Sequence, residues 1–243
     1  SGALHVRGGR SNEVGYFIDG VSVSNPFYTN SLSVNVSNRA LEEMKLVSGA
    51  FNAEYGNAMS GVVNVKIKDG GKDYDGSVSY YTGDYSSSES DIFPNIDNQS
   101  FSANRTFDGF ISGPVLPFLG DKLTFNISLR TNESEGYLYG IREHNPSDFA
   151  YFPPNGDWFI QMTGDSSFVP MNPSESSNFL SKVTFRVTPT IKLSTQSILS
   201  RSKSKSYVHA YKYNPDGVGT GFSSNNNHSI KINHSLSPKS FYE

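Results

Sequence analysis

The chain has 243 residues, a formal net charge of −3, 13% aromatic residues and no cysteine. The absence of any apolar run of about 20 residues excludes a helical membrane protein, and the absence of cysteine excludes a disulfide scaffold and a thiolate metal site. The small net charge gives no electrostatic case for nucleic acid binding. Uncharged polar residues are abundant instead, with 39 serines and 22 asparagines.

Residues 1–70 are predicted to form a small mixed α+β unit. Asn38 is a suitable N-cap for one helical turn over residues 38–43, and a short strand is expected directly after it. Residues 61–68 alternate between apolar and polar side chains, as a half-buried strand does. Asp69-Gly70-Gly71 then supplies the residue types that end an element, so the unit is expected to close there.

From residue 72 onward the sequence predicts longer strands with one apolar and one polar face. The clearest alternation places Leu123, Phe125 and Ile127 on one face and Thr124 and Asn126 on the other. The six predicted strands are 75–84, 102–115, 122–139, 179–188, 191–213 and 228–236.

The connections between these strands alternate in length. Those at 85–100, 139–178 and 209–224 are long, whereas those at 114–121 and 188–190 are short. A transmembrane β-barrel sorts its connections in this way, with short periplasmic turns and long extracellular loops. Bacterial barrels need at least about eight strands to close. The chain is therefore expected to be either a fragment of a longer barrel or not a membrane protein.

The loop over 139–178 is rich in aromatic residues, and long loops of this kind are usually functional. Tyr151, Phe152 and Trp158 are therefore candidate substrate contacts. Two alternatives have equal weight: the rings pack the loop onto itself, or they belong to the aromatic girdle at the membrane interface.

Five short motifs occur in order within the first seventy residues. They are His5-Val6-Arg7-Gly8-Gly9-Arg10, Tyr16-Phe17-Ile18-Asp19-Gly20-Val21, Leu41-Glu42-Glu43-Met44-Lys45-Leu46-Val47-Ser48-Gly49, Glu54-Tyr55-Gly56-Asn57 and Ser60-Gly61-Val62-Val63-Asn64-Val65-Lys66-Ile67-Lys68. Their order and spacing resemble the plug of TonB-dependent outer-membrane receptors. The segment from Phe51 to Gly61 resembles the branch common in Bacteroidota and differs from SusC-type glycan importers.

This resemblance implies a mixed α+β plug domain over 1–70, lacking its N-terminal part. Antiparallel transmembrane β-barrel strands would follow over 71–243, about six of the family's roughly 22. The implied function is active uptake across the outer membrane of a Gram-negative bacterium, with no cofactor. The implied partners are outer-membrane lipid, an unknown extracellular substrate and a TonB-type energy-transducing protein. The TonB-type protein would bind through a segment outside this chain.

The resemblance also implies roles for particular residues. Those expected to maintain the plug are Arg7, Gly8, Asp19, Gly20, Glu54, Tyr55, Gly56 and Gly61. Arg7 and Arg10 could pair with Glu42, Glu43 or Glu54, or with carboxylates of the barrel wall. Phe27 and Tyr28 would lie in a plug loop facing the extracellular vestibule, as substrate contacts or as anchors of that loop.

Other functions remain as alternatives. An enzyme is not expected, because the five histidines lack metal-ligand spacing and the sequence has no nucleophile elbow. One alternative is a secreted β-rich adhesion or carbohydrate-binding module, which would be soluble without detergent. Another is an outer-membrane component with a structural or export-associated role that imports nothing.

Overall fold

The structure, a computed structural model, describes residues 4–6, 8–24, 37–48, 59–154, 156–237 and 240–242. Six residues to which the sequence analysis gives a role lie outside these ranges: Arg7, Phe27, Tyr28, Glu54, Tyr55 and Gly56. The roles given to these six residues therefore stay predictions.

Four strands near the N-terminus form one small sheet. They are β1 (Val14–Ile18), β2 (Val21–Ser22), β3 (Leu41–Ser48) and β4 (Gly61–Ile67), in the order β2-β1-β4-β3. The central pair β1 and β4 is parallel, and the two outer strands pair antiparallel to them. Because parallel strands run in the same direction, Ile18 and Ile67 end their strands at the same edge of the sheet.

The helical turn expected over 38–43 is shorter than predicted. A 3-10 turn covers only Asn38–Ala40, with Ser37 as its N-cap, and Leu41 already begins β3. From Leu41 onward the backbone pairs as a strand with β4, and Leu41 lies opposite Ile67. A ladder with a distant strand therefore overrides the local helical tendency of Leu41-Glu42-Glu43.

Antiparallel strands follow in the rest of the chain. They begin with β5 (Asp75–Gly83), β6 (Asn104–Pro114) and β7 (Leu123–Ser134). The next connection contains β8 (Tyr139–Ile141), β9 (Ala150–Tyr151), β10 (Phe159–Ile160) and β11 (Phe168–Pro170). The last strands are β12 (Ser174–Arg186), β13 (Ile191–Ser204), β14 (Gly221–Ser237) and β15 (Ser240–Tyr242). Seven of them form one large sheet, in the order β15-β14-β13-β12-β7-β6-β5.

The six long strands predicted from the sequence are all present in this large sheet, and the short β15 adds a seventh. Their bounds differ where the apolar pattern fades. β12 begins at Ser174 and β14 at Gly221, both earlier than predicted, whereas β13 ends at Ser204. Residues 174–178 and 221–227 are almost entirely polar, so the strand there is set by pairing with its neighbours.

The two faces of the large sheet are the reverse of those in a soluble domain. On one face, apolar side chains are exposed, such as Val78 at 73% and Ile230 at 76%. On the other face, one row of polar residues across four strands is buried: Ser112, Asn126, Lys182 and Gln196. An exposed apolar face and a covered polar face are typical of a membrane β-barrel.

The small sheet covers this polar face. Its own core of valines and isoleucines, among them Val14, Ile18 and Ile67, packs against Leu180 and Ile198 of the large sheet. Hence the hydrophobic core of the N-terminal unit is completed by the sheet beneath it. No helix among the described residues is long and apolar enough to cross a membrane.

Candidate functional site

The small sheet docks on the large sheet through an ion cluster around Lys182. Asp19 directly follows β1 and Asp69 lies two residues beyond β4, so the parallel pairing brings both carboxylates to one edge. Lys182 of β12 lies at that edge, with its Nζ atom 3.0 Å from Asp19 Oδ2 and 2.9 Å from Asp69 Oδ1. Lys182 Nζ also donates a hydrogen bond of 2.9 Å to the carbonyl of Ile67.

Asp69 is held by several groups of the large sheet. Besides Lys182, Lys192 Nζ lies 3.0 Å from Asp69 Oδ2, and the Thr184 hydroxyl donates to Oδ1 over 3.1 Å. Burial on its own would raise the pKa of Asp69. The hydrogen bonds and positive charges of Lys182 and Lys192 outweigh this burial and lower the pKa to about 2. Asp69 is therefore a carboxylate at any physiological pH.

Asp19 is held more weakly. It adopts a left-handed conformation with φ of 49°, which Asp tolerates better than most residues, and Gly20 follows with φ of 85°. Its Oδ1 accepts a hydrogen bond of 3.2 Å from the Ile67 amide. Its Oδ2 is buried and lacks an aligned hydrogen bond, although Lys182 Nζ is within ion-pair distance. The turn formed by Asp19 and Gly20 thus lies directly at the edge of the small sheet that docks on the large sheet.

The connection from the small sheet to the large one lies flat against β6 and β7. The Asn126 amide donates a hydrogen bond of 3.0 Å to the carbonyl of Lys68. A Cβ atom at Gly70 would lie 2.7 Å from Thr124 Cβ and 2.8 Å from the Gly113 carbonyl oxygen. Because most of these neighbouring atoms belong to paired strands, only glycine fits at this position.

Two further glycines that the sequence analysis expects to maintain the plug, Gly8 and Gly61, lie within the N-terminal unit. Gly8 has φ of 76°, in the left-handed region that favours glycine. Gly61 lies at the start of β4, where an added Cβ would approach Val6 Cγ1 to 3.0 Å.

A further polar contact joins the N-terminal unit to the large sheet. The Ser37 hydroxyl donates a hydrogen bond of 2.9 Å to Asp108, and Arg130 lies 3.5 Å from the same carboxylate.

The docking pairs plug carboxylates with wall lysines, a combination that the sequence prediction of charge pairs did not name. The pairs predicted for Arg7 and Arg10 stay predictions, because Arg7 and Glu54 lie outside the described residues. Glu42 pairs with Lys66 and Glu43 with Lys45, all within the small sheet. The signal that was missed is an Asp shortly after each of the two parallel strands.

A cavity of about 820 Å³ opens beside this cluster, between the small sheet and β12–β14. Its lining includes the Asp19-Gly20 turn and four lysines: Lys66, Lys182, Lys192 and Lys231. Across the described ranges, no three His, Asp or Glu side chains come together to hold a metal ion.

The long connection between β7 and β12 is organised around Arg142. Its Nε lies 2.5 Å from Asp216 and its Nη1 3.0 Å from Asp165, which ties this loop to the one between β13 and β14. Hydrogen bonds from Ser167, followed by the charge of Arg142, lower the pKa of Asp165 to about 2. The loop is therefore an ordered element joined to its neighbour by ion pairs.

The three aromatic residues predicted as substrate contacts lie on a small hairpin of this loop, formed by β9 and β10. The rings of Phe152 and Trp158 have centroids 5.1 Å apart, and Tyr151 lies opposite Phe159 in the register. All of these side chains are more than half exposed. The rings thus pack on each other and also present a broad aromatic surface to the outside.

A family comparison matches residues 1–62 to the TonB-dependent receptor plug domain. The resemblance of this region to the plug is thereby confirmed, and the matched residues contain β1, β2 and β3 and the start of β4. No curated protein matches the chain in sequence.

Solved structures with the same fold include two receptors and an outer membrane transporter. The siderophore receptor PirA from Pseudomonas aeruginosa is 18% identical, with a TM-score of 0.58 over 96% of this chain and 32% of its own. The outer membrane transporter YddB from Escherichia coli is 13% identical, with a TM-score of 0.59 over 95% and 30%. A variant of the ferric enterobactin receptor from Pseudomonas aeruginosa is 12% identical, with a TM-score of 0.57 over 93% and 31%.

The chain thus spans about a third of the length of these receptors. At these identities the likeness establishes the fold, a plug followed by antiparallel strands. Both the plug match and the fold agree with an outer-membrane localisation in a Gram-negative bacterium, and the solved proteins matched are named receptors or transporters.

Proposed function

We propose that the full-length protein is a TonB-dependent receptor that imports a substrate actively across the outer membrane. The observation that carries this proposal is the docking of a plug, through Asp19 and Asp69, on the polar face of a sheet whose opposite face is apolar and exposed. Apart from the contact of Leu180 and Ile198 with the plug core, this interface is polar, and a polar interface suits a plug that must be held at rest and displaced during transport. A dry hydrophobic interface would resist such displacement.

In this proposal, residues 1–70 are the plug domain and residues 71–243 begin the barrel. The partners are outer-membrane lipid on the apolar face and a TonB-type energy-transducing protein that acts through a segment outside this chain. The exposed rings of Tyr151, Phe152 and Trp158 would contact the substrate outside the membrane. Phe27 and Tyr28 would contact it from the plug.

An iron chelate is the first substrate class to test, because two of the solved receptors are named for siderophores. The gene would be deleted in the source bacterium and restored in full length, with a TonB-type deletion strain alongside. Uptake of radiolabelled iron is measured with a panel of ferric siderophores. We expect at least one chelate whose uptake fails in both deletion strains and returns on complementation. Equal uptake of every chelate in all strains would contradict this substrate class.

The class of protein is tested separately from its substrate. Formaldehyde treatment of cells carrying the tagged full-length receptor should yield a crosslinked species containing the TonB-type protein. Absence of that species would contradict energy-coupled import and favour a structural or export-associated role. Extraction of the full-length protein without detergent would contradict the membrane receptor altogether and favour a secreted adhesion module.

A further inference from the structure

One side chain, Lys182, is shared by two carboxylates that belong to different segments of the plug. Asp19 lies in the turn after β1, and Asp69 lies in the connection to the large sheet. The Lys182 side chain is only 7% exposed, so water solvates its charge only weakly. The two plug segments therefore share one ammonium group as an ion-pair partner.

The two contacts differ in strength. Asp69 receives two lysines and one hydroxyl, from Lys182, Lys192 and Thr184, and all three belong to strands of the large sheet. From the described residues of the large sheet, Asp19 receives Lys182 alone, at 3.0 Å, whereas Asp69 also accepts hydrogen bonds from Lys192 and Thr184. Charge-assisted hydrogen bonds with good geometry are the stronger ones.

The space around the two carboxylates differs in the same sense. The Asp19-Gly20 turn lines the cavity of about 820 Å³, so it has open volume into which it can move. Next to Asp69, the backbone of Gly70 is packed so closely against β6 and β7 that a single methyl group would not fit. The turn therefore borders open volume, whereas the connection is closely packed.

We propose that Lys182 is a positioning residue that holds the plug through two unequal contacts, and that the Asp19 turn leaves it first when the plug moves. The connection at Asp69 stays seated and acts as the pivot of the movement. This inference rests on the proposed function, because it assigns an order to the opening of the same plug.

The test is segment-resolved amide hydrogen exchange on the full-length receptor in detergent micelles. Asp19→Asn removes the charge and retains a residue that tolerates the left-handed conformation. We expect exchange in residues 16–23 to accelerate by about tenfold or more, with residues 68–73 unchanged. Asp69→Asn should accelerate exchange in both segments. Lys182 then loses its ion pair with Asp69, so its side chain is less firmly placed to hold Asp19.

Lys182 itself supplies the second arm. Lys182→Met keeps the length of the side chain and removes its charge, so exchange should accelerate in both segments. Lys182→Arg restores a positive charge and should return at least the Asp69 segment toward the wild-type rate. Asp73→Asn is the matched control, because Asp73 is an exposed carboxylate of the same connection, and it should leave exchange in residues 16–23 and 68–71 unchanged.

If Asp19→Asn accelerated exchange in both segments as much as Asp69→Asn does, the two contacts would hold the plug equally. Unchanged exchange in Lys182→Met would show that this lysine does not hold the plug. Amide exchange requires neither substrate nor TonB. A negative result here is therefore distinct from a failure of the import experiments, which would leave these exchange rates as they are.

Discussion

Two ion-pair clusters in this chain use similar chemistry in different surroundings. Lys182 joins Asp19 and Asp69 where its side chain is 7% exposed, and Arg142 joins Asp165 and Asp216 where its side chain is 28% exposed. A buried ion pair is costly to break on one side, because the remaining charge stays without a partner. An exposed pair is screened by water and contributes little. Burial, rather than the number of contacts, should therefore separate their effects.

The largest expected effect is that of removing the buried ammonium. Lys182→Met removes the lysine paired with both carboxylates and leaves Lys192 paired with Asp69, so the seating of the small sheet should weaken by about 3–5 kcal/mol. Amide exchange of β1 and β4 in the full-length receptor measures this free energy. Lys72→Met, at an exposed lysine of the connection, is the control and should leave it unchanged. An effect below that of the exposed cluster would contradict the comparison.

A steric change at the same interface ranks second. Gly70→Ala introduces a methyl group against Thr124 and the Gly113 carbonyl, so the connection must move away from the large sheet. The expected cost is about 1–3 kcal/mol, as for other overpacked sites. The fall in Tm of the full-length receptor measures it. Gly71→Ala is the matched control, because its nearest contact is an ordinary 3.5 Å, and an equal fall in Tm there would sink the steric explanation.

The acid dependence of the buried cluster should be smaller. The pKa of Asp69 is lowered from 3.8 to about 2, so its contribution to stability is complete above about pH 4 and is lost as the pH falls toward 2. The loss should be about 1–2 kcal/mol after allowance for solvent screening. Thermal unfolding of the full-length receptor across this range measures it. Asp69→Asn should reduce the fall in Tm between about pH 4 and pH 2. An unchanged fall would show that Asp69 does not cause this loss of stability.

The smallest effect is expected at the exposed cluster. Arg142→Gln should leave the Tm of the full-length receptor within error, because the cluster lies in a loop and is screened by water. Limited proteolysis between β7 and β12 should become a few-fold faster, since the ion pairs to Asp165 and Asp216 then no longer join the two loops. A fall in Tm as large as that of Lys182→Met would overturn the distinction between the two clusters.

The sequence allowed the strands to be predicted wherever an apolar face alternates with a polar one, as at Leu123 to Leu129. It failed at Ser174 and Gly221, where both faces of the strand are polar and only the neighbouring strand fixes the backbone. The plug motifs were evident because they are contiguous. The family match over residues 1–62 confirms them.

The charge pairing of the docking site could not be predicted in the same way. Lys182 and Asp69 are 113 positions apart, and in the alternating pattern Lys182 looks no different from Lys231. The pairing follows from the parallel arrangement of β1 and β4, which brings Asp19 and Asp69 to one edge. Local periodicity predicts which face a residue occupies, but it does not predict which distant residue covers that face.

The way the plug core is completed has a consequence for folding order and for engineering. Leu180 and Ile198 of the large sheet fill the core of the small one, whereas the row from Ser112 to Gln196 is polar and can accept water in place of the plug. The dependence is therefore one-sided. A barrel deprived of its plug should still assemble, as an open hydrated pore. A plug expressed alone would lack part of its interior and should remain unfolded or aggregate until a barrel receives it.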